Sequence, residues 1–65
     1  MLNSKTDYRS YFASVWDYVK MSYFLKQCHV NQPNFSRFMK GSEYDYLISW
    51  DKLENLYQEI SKKIT

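Results

Sequence analysis

The only proline and the only glycine of this chain, Pro33 and Gly41, mark the ends of one short helical pattern in its middle. Proline is tolerated in the first turn of a helix, and the preceding Asn31 belongs to a type that commonly caps helix N-termini. The apolar residues that follow at helical spacing are Phe35, Phe38 and Met39. We therefore predict a helix that begins after Asn31 and ends at Gly41, which acts as its C-terminal cap.

A second helical segment precedes this turn, so that residues 23–41 read as a helix, a tight turn and another helix. The buried side of the earlier helix is predicted to carry Phe24, Leu25 and Cys28, and Val30 turns inward at the turn. The outward side of the later helix is polar and basic, with Asn34, Ser36, Arg37 and Lys40. Such side chains are chemically suited to the major groove of DNA.

Two longer amphipathic helices are predicted on either side. Ser4 or Thr6 can cap the first, and Ser49 can cap the last. The predicted inner stripes are Tyr8, Phe12, Val15 or Trp16, and Val19 in the first helix, and Leu53, Leu56 or Tyr57, Ile60 and Ile64 in the last. The link 42–48 is unusually apolar, so part of it is expected to cover the core. We predict an all-α fold, a compact four- to five-helix domain containing a helix-turn-helix, with residues 1–65 forming a single domain.

Composition bears on where such a chain works. Hydrophobic residues make up 45% and aromatic residues 20% of the 65 residues, enough for one small core. No apolar run approaches the roughly 18 residues that cross a bilayer, and the N-terminus does not read as a signal peptide. The single Cys28 rules out an internal disulfide and fits a reducing compartment. We expect a soluble cytoplasmic protein without a membrane partner.

Charge is distributed unevenly along the chain. Residues 18–42 carry four cations and no carboxylate, whereas residues 43–59 carry five carboxylates and Lys52 as the only cation. The cations of the first zone are Lys20, Lys26, Arg37 and Lys40. This pattern predicts a dipolar molecule with a positive face around the later short helix, although a charge run of this kind is also typical of an ordinary solvated face.

Catalytic chemistry is not predicted. Cys28 and His29 are adjacent, but the chain has no second Cys or His for a tetrahedral metal site, and neighbouring helix positions point away from each other. No glycine-rich phosphate loop or carboxylate pair with a catalytic spacing is present. We expect a protein that is not an enzyme and needs no cofactor.

The central segment also resembles the helix-turn-helix of the phage-repressor-like (Cro/Xre-type) family. The family's recognition segment commonly begins with a small hydrophobic residue, a capping residue and Gln, and these positions hold Val30, Asn31 and Gln32 here. The pattern continues with an aliphatic residue, Ser, Arg and, four residues later, Gly. These positions hold Phe35, Ser36, Arg37 and Gly41. Residues 48–60 resemble the family's closing helix, so the resemblance covers about two-thirds of the chain. The chain departs from the family at Leu25, where Ala is usual, and at Cys28-His29, where Gly is frequent. No residue between 20 and 23 interrupts the helical pattern, which leaves open one continuous helix, whereas the resemblance implies a bend near residues 21–22.

The resemblance implies which residues contact DNA. Asn34 and Arg37 occupy base-reading positions, and Arg and Asn can pair with guanine and adenine. Gln32 can bind a phosphate or a base edge, while Ser36 contacts the backbone or packs against the turn. Lys20, Lys26 and Lys40 are interpreted as phosphate contacts. The candidate DNA-binding set is Lys26, Asn31, Gln32, Asn34, Ser36, Arg37 and Lys40.

Three functions therefore remain open. The first is a DNA-binding regulator of transcription from a prokaryote, phage or mobile element, which binds duplex DNA as a homodimer. The second is an accessory subunit that binds single- or double-stranded DNA and docks a larger replication or recombination protein through its tyrosines. The third is a protein inhibitor without nucleic-acid binding. The seven tyrosines either cover a small core, form a protein interface or stack on unpaired bases.

Overall fold

Helices account for all the regular structure of residues 2–64, the part of the chain that this computed structural model describes. The four α-helices are α1 (Lys5–Val15), α2 (Met21–Gln27), α3 (Gln32–Phe38) and α4 (Trp50–Ile64). A 3₁₀ helix, Ser42–Leu47, connects α3 to α4. These residues form no β-strand, and the predicted all-α class is confirmed. None of the described helices is long and apolar enough to cross a membrane.

Side-chain caps fix where three of the helices begin. Ser4 Oγ accepts a hydrogen bond from the Asp7 amide at 3.1 Å, so Ser4, one of the two predicted residues, caps α1. Asn31 Oδ1 accepts from the Asn34 amide at 3.0 Å, and Pro33 lies in the first turn of α3 as predicted. Ser49 Oγ accepts from the Lys52 amide at 3.3 Å before α4. Each cap satisfies a backbone donor that the first helical turn leaves free.

The break between α1 and α2 lies at residues 16–20, earlier than the predicted bend near residues 21–22. The phase of the apolar pattern explains the break. A continuous helix would extend the stripe of Tyr8, Phe12 and Val15 onto Tyr23 and Lys26. The side chains of α2 that are in fact buried lie on a different phase, at Met21, Phe24 and Leu25. A turn is therefore required before α2 for both helices to face one core.

The prediction for Gly41 is wrong. Helix α3 ends at Phe38, and Gly41 has φ 169° and ψ 169°, an extended conformation that precedes the 3₁₀ helix and does not cap the C-terminus of α3. Its carbonyl accepts hydrogen bonds from the Tyr44 amide at 3.2 Å and from Arg9 Nη2 at 3.0 Å. Arg9 also satisfies the Phe38 carbonyl at the end of α3, so no left-handed residue is needed to close the helix.

One aromatic-rich core joins all the helices. Its fully buried side chains are Tyr8, Phe12, Phe35, Phe38, Leu53, Leu56 and Ile60. The sequence left two positions open, Val15 or Trp16 in α1 and Leu56 or Tyr57 in α4. Val15 and Leu56 are buried, whereas Trp16 is exposed and Tyr57 is half-buried. Ile48 in the apolar link covers the core as expected. Ile64 was predicted to be buried, but it lies past the packed part of α4 and is 46% exposed.

Candidate nucleic-acid interface

Helix α3 separates its buried residues from its exposed ones. Phe35 and Phe38 point into the core, whereas Pro33, Ser36 and Arg37 are exposed on the opposite side. Lys40, in the turn after the helix, is also exposed. The spacing of these residues places Arg37 and Lys40 on the same outward side as Pro33. The helix therefore presents a polar, cationic face to solvent.

The cations of the α2–α3 region have no anionic partner within residues 2–64. Lys20, Lys26, Arg37 and Lys40 are all exposed, and none forms an ion pair with a described carboxylate. Arg37 is therefore not neutralised by a nearby described carboxylate, as an ordinary surface arginine in an ion pair would be. Because no carboxylate occurs between residues 18 and 42, the local chain supplies no counter-charge either.

Arg9 of α1 holds the C-terminal end of α3. Its Nε donates to the Phe38 carbonyl at 2.7 Å, its Nη2 donates to the Gly41 carbonyl at 3.0 Å, and it forms an ion pair with Asp45 of the 3₁₀ helix. The guanidinium carbon also lies 4.5 Å from the centre of the Phe38 ring. Only 14% of the Arg9 side chain is exposed. One side chain thus ties α1, the end of α3 and the 3₁₀ helix together.

Lys52 of α4 holds the other end of α3, at the turn that follows α2. Its Nζ donates to the His29 carbonyl at 2.7 Å and lies 3.5 Å from the Cys28 carbonyl. His29 has φ 57°, in the left-handed region that favours glycine. The turn thus adopts at His29 a backbone conformation that glycine would adopt without steric cost.

Sequence reasoning missed Arg9 and gave Lys52 no role. Their partners lie 29 and 23 residues away in the chain, at Phe38 and His29, and no local spacing indicates such pairs. The partners of Lys5 are also distant in the chain. Its Nζ donates to the carbonyls of Asp45 at 2.9 Å and Ile48 at 2.8 Å.

The candidate DNA-binding residues do not form one continuous group. Arg37 and Lys40 face outward, while Gln32 and Ser36 line a slot between the 16–20 link, α2 and α3. Asn34 is half-buried and lines a different groove, with Tyr46 and Lys52. The side-chain oxygen of Asn31 is engaged in the cap of α3. Lys26 lines a broader groove beside the slot.

We call the small cavity the Trp16 slot and the broader one the Lys20 groove. The Trp16 slot has a volume of about 190 Å³, with apolar walls from Trp16, Val19, Met21, Leu25 and Phe35 and polar groups from Ser22, Gln32 and Ser36. The Lys20 groove has a volume of about 610 Å³ and includes Lys20, Tyr23 and Lys26. Both cavities share Ser22, Leu25 and Gln32, so they adjoin.

Glu54 of α4 accepts hydrogen bonds from two side chains. Tyr8 Oη donates to Glu54 Oε1 at 2.5 Å, and Gln58 Nε2 donates to Glu54 Oε2 at 2.6 Å. The hydrogen bond from Tyr8, then that from Gln58, lowers the pKa of Glu54. Burial, followed by the Glu54 hydrogen bond, raises the pKa of Tyr8.

Cys28 is the only cysteine of the chain, and its surroundings do not activate it. Burial, followed by the negative charge of Glu59, raises the pKa of the Cys28 thiol, which therefore stays protonated and poorly nucleophilic. Within residues 2–64, no group of three or more His, Cys, Asp or Glu side chains is arranged to hold a metal ion.

Comparison with known proteins finds no matching family model, no matching curated protein and no matching solved structure.

Proposed function

We propose that this chain is a small DNA-binding protein that uses α2, the turn and α3 as a helix-turn-helix, with α3 as its recognition helix. The observation that carries the proposal is a group of four exposed cations in and beside α2 and α3 that have no anionic partner among residues 2–64. A surface that keeps four such charges without internal neutralisation attracts a polyanion, and duplex DNA presents phosphates at short, regular spacing.

The surface offers two kinds of contact. Lys20, Lys26 and Lys40 neutralise phosphates and position the protein without reading sequence. Arg37 projects from the outward face of α3, where its guanidinium can pair with the two acceptors of a guanine in the major groove. Gln32 and Ser36 border this face and supply further polar contacts. Base preference is therefore assigned chiefly to Arg37.

The biological role that fits this surface is regulation of transcription in a prokaryote, phage or mobile element, in the cytoplasm. A half-site read by one two-turn helix gives weak binding, so two copies of the chain are expected to act together on a palindromic site. No enzymatic step and no cofactor are invoked.

A second function is favoured by one observation on the same side of the molecule. Trp16 and Tyr23 are 45% and 48% exposed, and they lie beside Lys20 and Lys26 at the two cavities. Aromatic rings interleaved with cations are typical of single-strand platforms. An accessory subunit that holds unpaired DNA for a larger replication or recombination protein has this chemistry.

Fluorescence anisotropy with random duplex and random single-stranded DNA, at two salt concentrations, tests the proposal. We expect duplex binding whose affinity falls steeply with salt because cations displace counterions. Arg37→Ala should reduce discrimination between sequences, whereas Lys40→Ala should weaken all of them similarly. Lys63→Ala, at an exposed lysine of α4, is the matched control and should change little.

The outcomes separate the functions. Preference for single strands moves the assignment to the accessory subunit, and a partner pull-down follows. Absence of binding to any nucleic acid at low salt rejects both and leaves a protein inhibitor. Equal affinities of the Arg37→Ala, Lys63→Ala and unchanged proteins for every duplex would contradict the assignment of α3 as the recognition helix.

A further inference from the structure

The Trp16 slot has flat apolar walls. Trp16 is 45% exposed although its ring lies nearly parallel to that of the buried Phe35, with 7° between the planes and 6.1 Å between the centres. Leu25 contributes a further apolar wall. Pockets that hold a whole small molecule usually have a volume of at least about 300 Å³. A slot of about 190 Å³ is smaller than that and fits one planar ring system better than a bulky ligand.

The polar groups of the slot suit a planar occupant with hydrogen-bonding edges. The amide of Gln32 offers both donors and an acceptor, and the hydroxyls of Ser22 and Ser36 can do either. No side-chain hydrogen bond engages any of these three groups within residues 2–64. All three residues are exposed, so water can reach them in the free protein. A purely aliphatic occupant would displace this water without offering hydrogen bonds, which costs free energy for each group that it covers.

The neighbouring charge favours an occupant attached to phosphates. The Lys20 groove continues from the slot through Ser22 and Gln32, and it carries Lys20 and Lys26, which form no ion pair with a described residue. A strand that follows this groove places its phosphates beside the two lysines while one base enters the slot. Apolar peptides and lipid tails lack this combination of a ring, polar edges and adjacent negative charge.

We propose that the Trp16 slot binds one unpaired nucleobase of a single strand, with the flanking phosphates in the Lys20 groove. The proposal rests on the DNA-binding function above and specifies a second nucleic-acid form that the same protein recognises. Gln32 and Ser36 belong to the slot and also border the outward face of α3. An unpaired strand and a duplex therefore compete for the protein.

Intrinsic fluorescence tests the slot directly, because the chain has only two tryptophans, Trp16 and Trp50. The Trp50→Phe protein, in which Trp16 is the only emitter, is titrated with oligothymidylate and with an abasic oligonucleotide of equal length. Stacking of thymine on Trp16 should quench its emission, whereas the abasic strand, which carries the same charge, should not. The Trp16→Phe protein, which retains Trp50, is the matched control and should keep its emission constant.

Affinity gives a second measurement on the same strands. Replacement of a stacking aromatic by alanine should weaken binding of oligothymidylate by about 5- to 100-fold and leave binding of the abasic strand unchanged. We expect this for Trp16→Ala, with circular dichroism to confirm that the helices remain. If Trp16→Ala loses its helices, the Trp16→Leu protein, which keeps an apolar side chain without the ring, replaces it with the same expectation.

The results distinguish the slot from the wider function. Binding of both strands with equal quenching, or without quenching, overturns the base slot and leaves DNA binding intact. A change in Trp50 emission as large as that of Trp16 also overturns it, because the signal is then not local. Failure to bind single strands, abasic strands and duplex alike overturns the proposed function and the slot together.

Discussion

The two halves of this molecule use their positive charges in opposite ways. Around α1 and α4, Lys5, Arg9 and Lys52 direct their charged ends at backbone carbonyls of other segments, at 2.7 to 3.0 Å in the shortest contacts. Around α2 and α3, the cations make no such contact within the described residues and remain exposed. Lys5, Arg9 and Lys52 thus connect separate segments in one half, although Lys62 and Lys63 at the end of α4 are exposed. In the other half every lysine and arginine is an exposed surface charge.

This difference shows why the net charge of the chain says little about its function. The net charge of +2 is small, yet the cations bound to carbonyls are not available to a ligand. Two cations of the other half instead hold α3 in place. Arg9 secures the end of the helix, and Lys52 secures the turn before it.

The largest expected effect comes from replacing, in separate variants, two arginines that lie in different surroundings. Arg9→Met should lower the free energy of unfolding by about 2–3 kcal/mol, because it leaves the Phe38 and Gly41 carbonyls and Asp45 without their donor. Arg37→Met should change it by less than about 0.5 kcal/mol. Urea unfolding followed by circular dichroism measures both. Similar losses in the two proteins would contradict the division into two halves.

The next effect concerns binding rather than stability. Arg37→Lys keeps the charge but removes the planar pair of donors, so discrimination against a changed guanine should fall by about 1–3 kcal/mol. The dependence on salt should stay nearly constant, because the number of phosphate contacts does not change. Titration of a selected site and its single-base variants gives both quantities. Retained discrimination together with an unchanged salt dependence would show that Arg37 acts only as a positive charge, as in a phosphate contact, and does not read the guanine.

A smaller effect is expected at the turn before α3. His29→Gly should stabilise the protein by about 0.5–1 kcal/mol, because glycine adopts the observed φ of 57° without the steric cost of a side chain. His29→Val should destabilise it, since a β-branched residue is least suited to that conformation. Thermal unfolding of the two variants compares them directly. A less stable glycine variant would mean that the imidazole makes a favourable contact larger than the strain.

The smallest effect is the acid dependence of the α1–α4 half. Glu54 has a pKa below its ordinary value of 4.5 in the folded protein, so the unfolded chain binds a proton first as pH falls. Its contribution to stability is complete above that ordinary value and disappears as pH falls through the folded-state pKa. Urea midpoints from about pH 6 to about pH 3 should therefore decline less in Tyr8→Phe, which lacks the main hydrogen bond. An unchanged slope would assign the decline to other carboxylates.

Local signals predicted the starts of helices and most of the buried stripes. Ser4, Asn31 and Ser49 act through hydrogen bonds to amides three residues later, so their effect is contained in a few neighbouring positions. Phe35 and Phe38 follow helical spacing and are buried. The end of α1 was also readable in principle, since the phase of the apolar pattern changes between Val15 and Met21.

The remaining features depend on contacts between distant segments. Gly41 matched a helix-capping pattern, but the carbonyl at the end of α3 is satisfied by Arg9 from another helix. The Trp16 slot likewise arises only when the 16–20 link, α2 and α3 come together. The sequence therefore indicated that Ser36 and Arg37 are exposed, but Asn34, predicted on the same face, is half-buried. It did not indicate what fixes α3 or what lies beside it.

Helix α3 also has a consequence for redesign. Its attachment depends on Phe35, Phe38 and the carbonyls that Arg9 holds, whereas Pro33, Ser36 and Arg37 are exposed on the opposite side. The outward positions can therefore be randomised in a library while the scaffold keeps its stability. A chain of this size then serves as a small scaffold in which the residues of one exposed surface can be changed without altering the buried core.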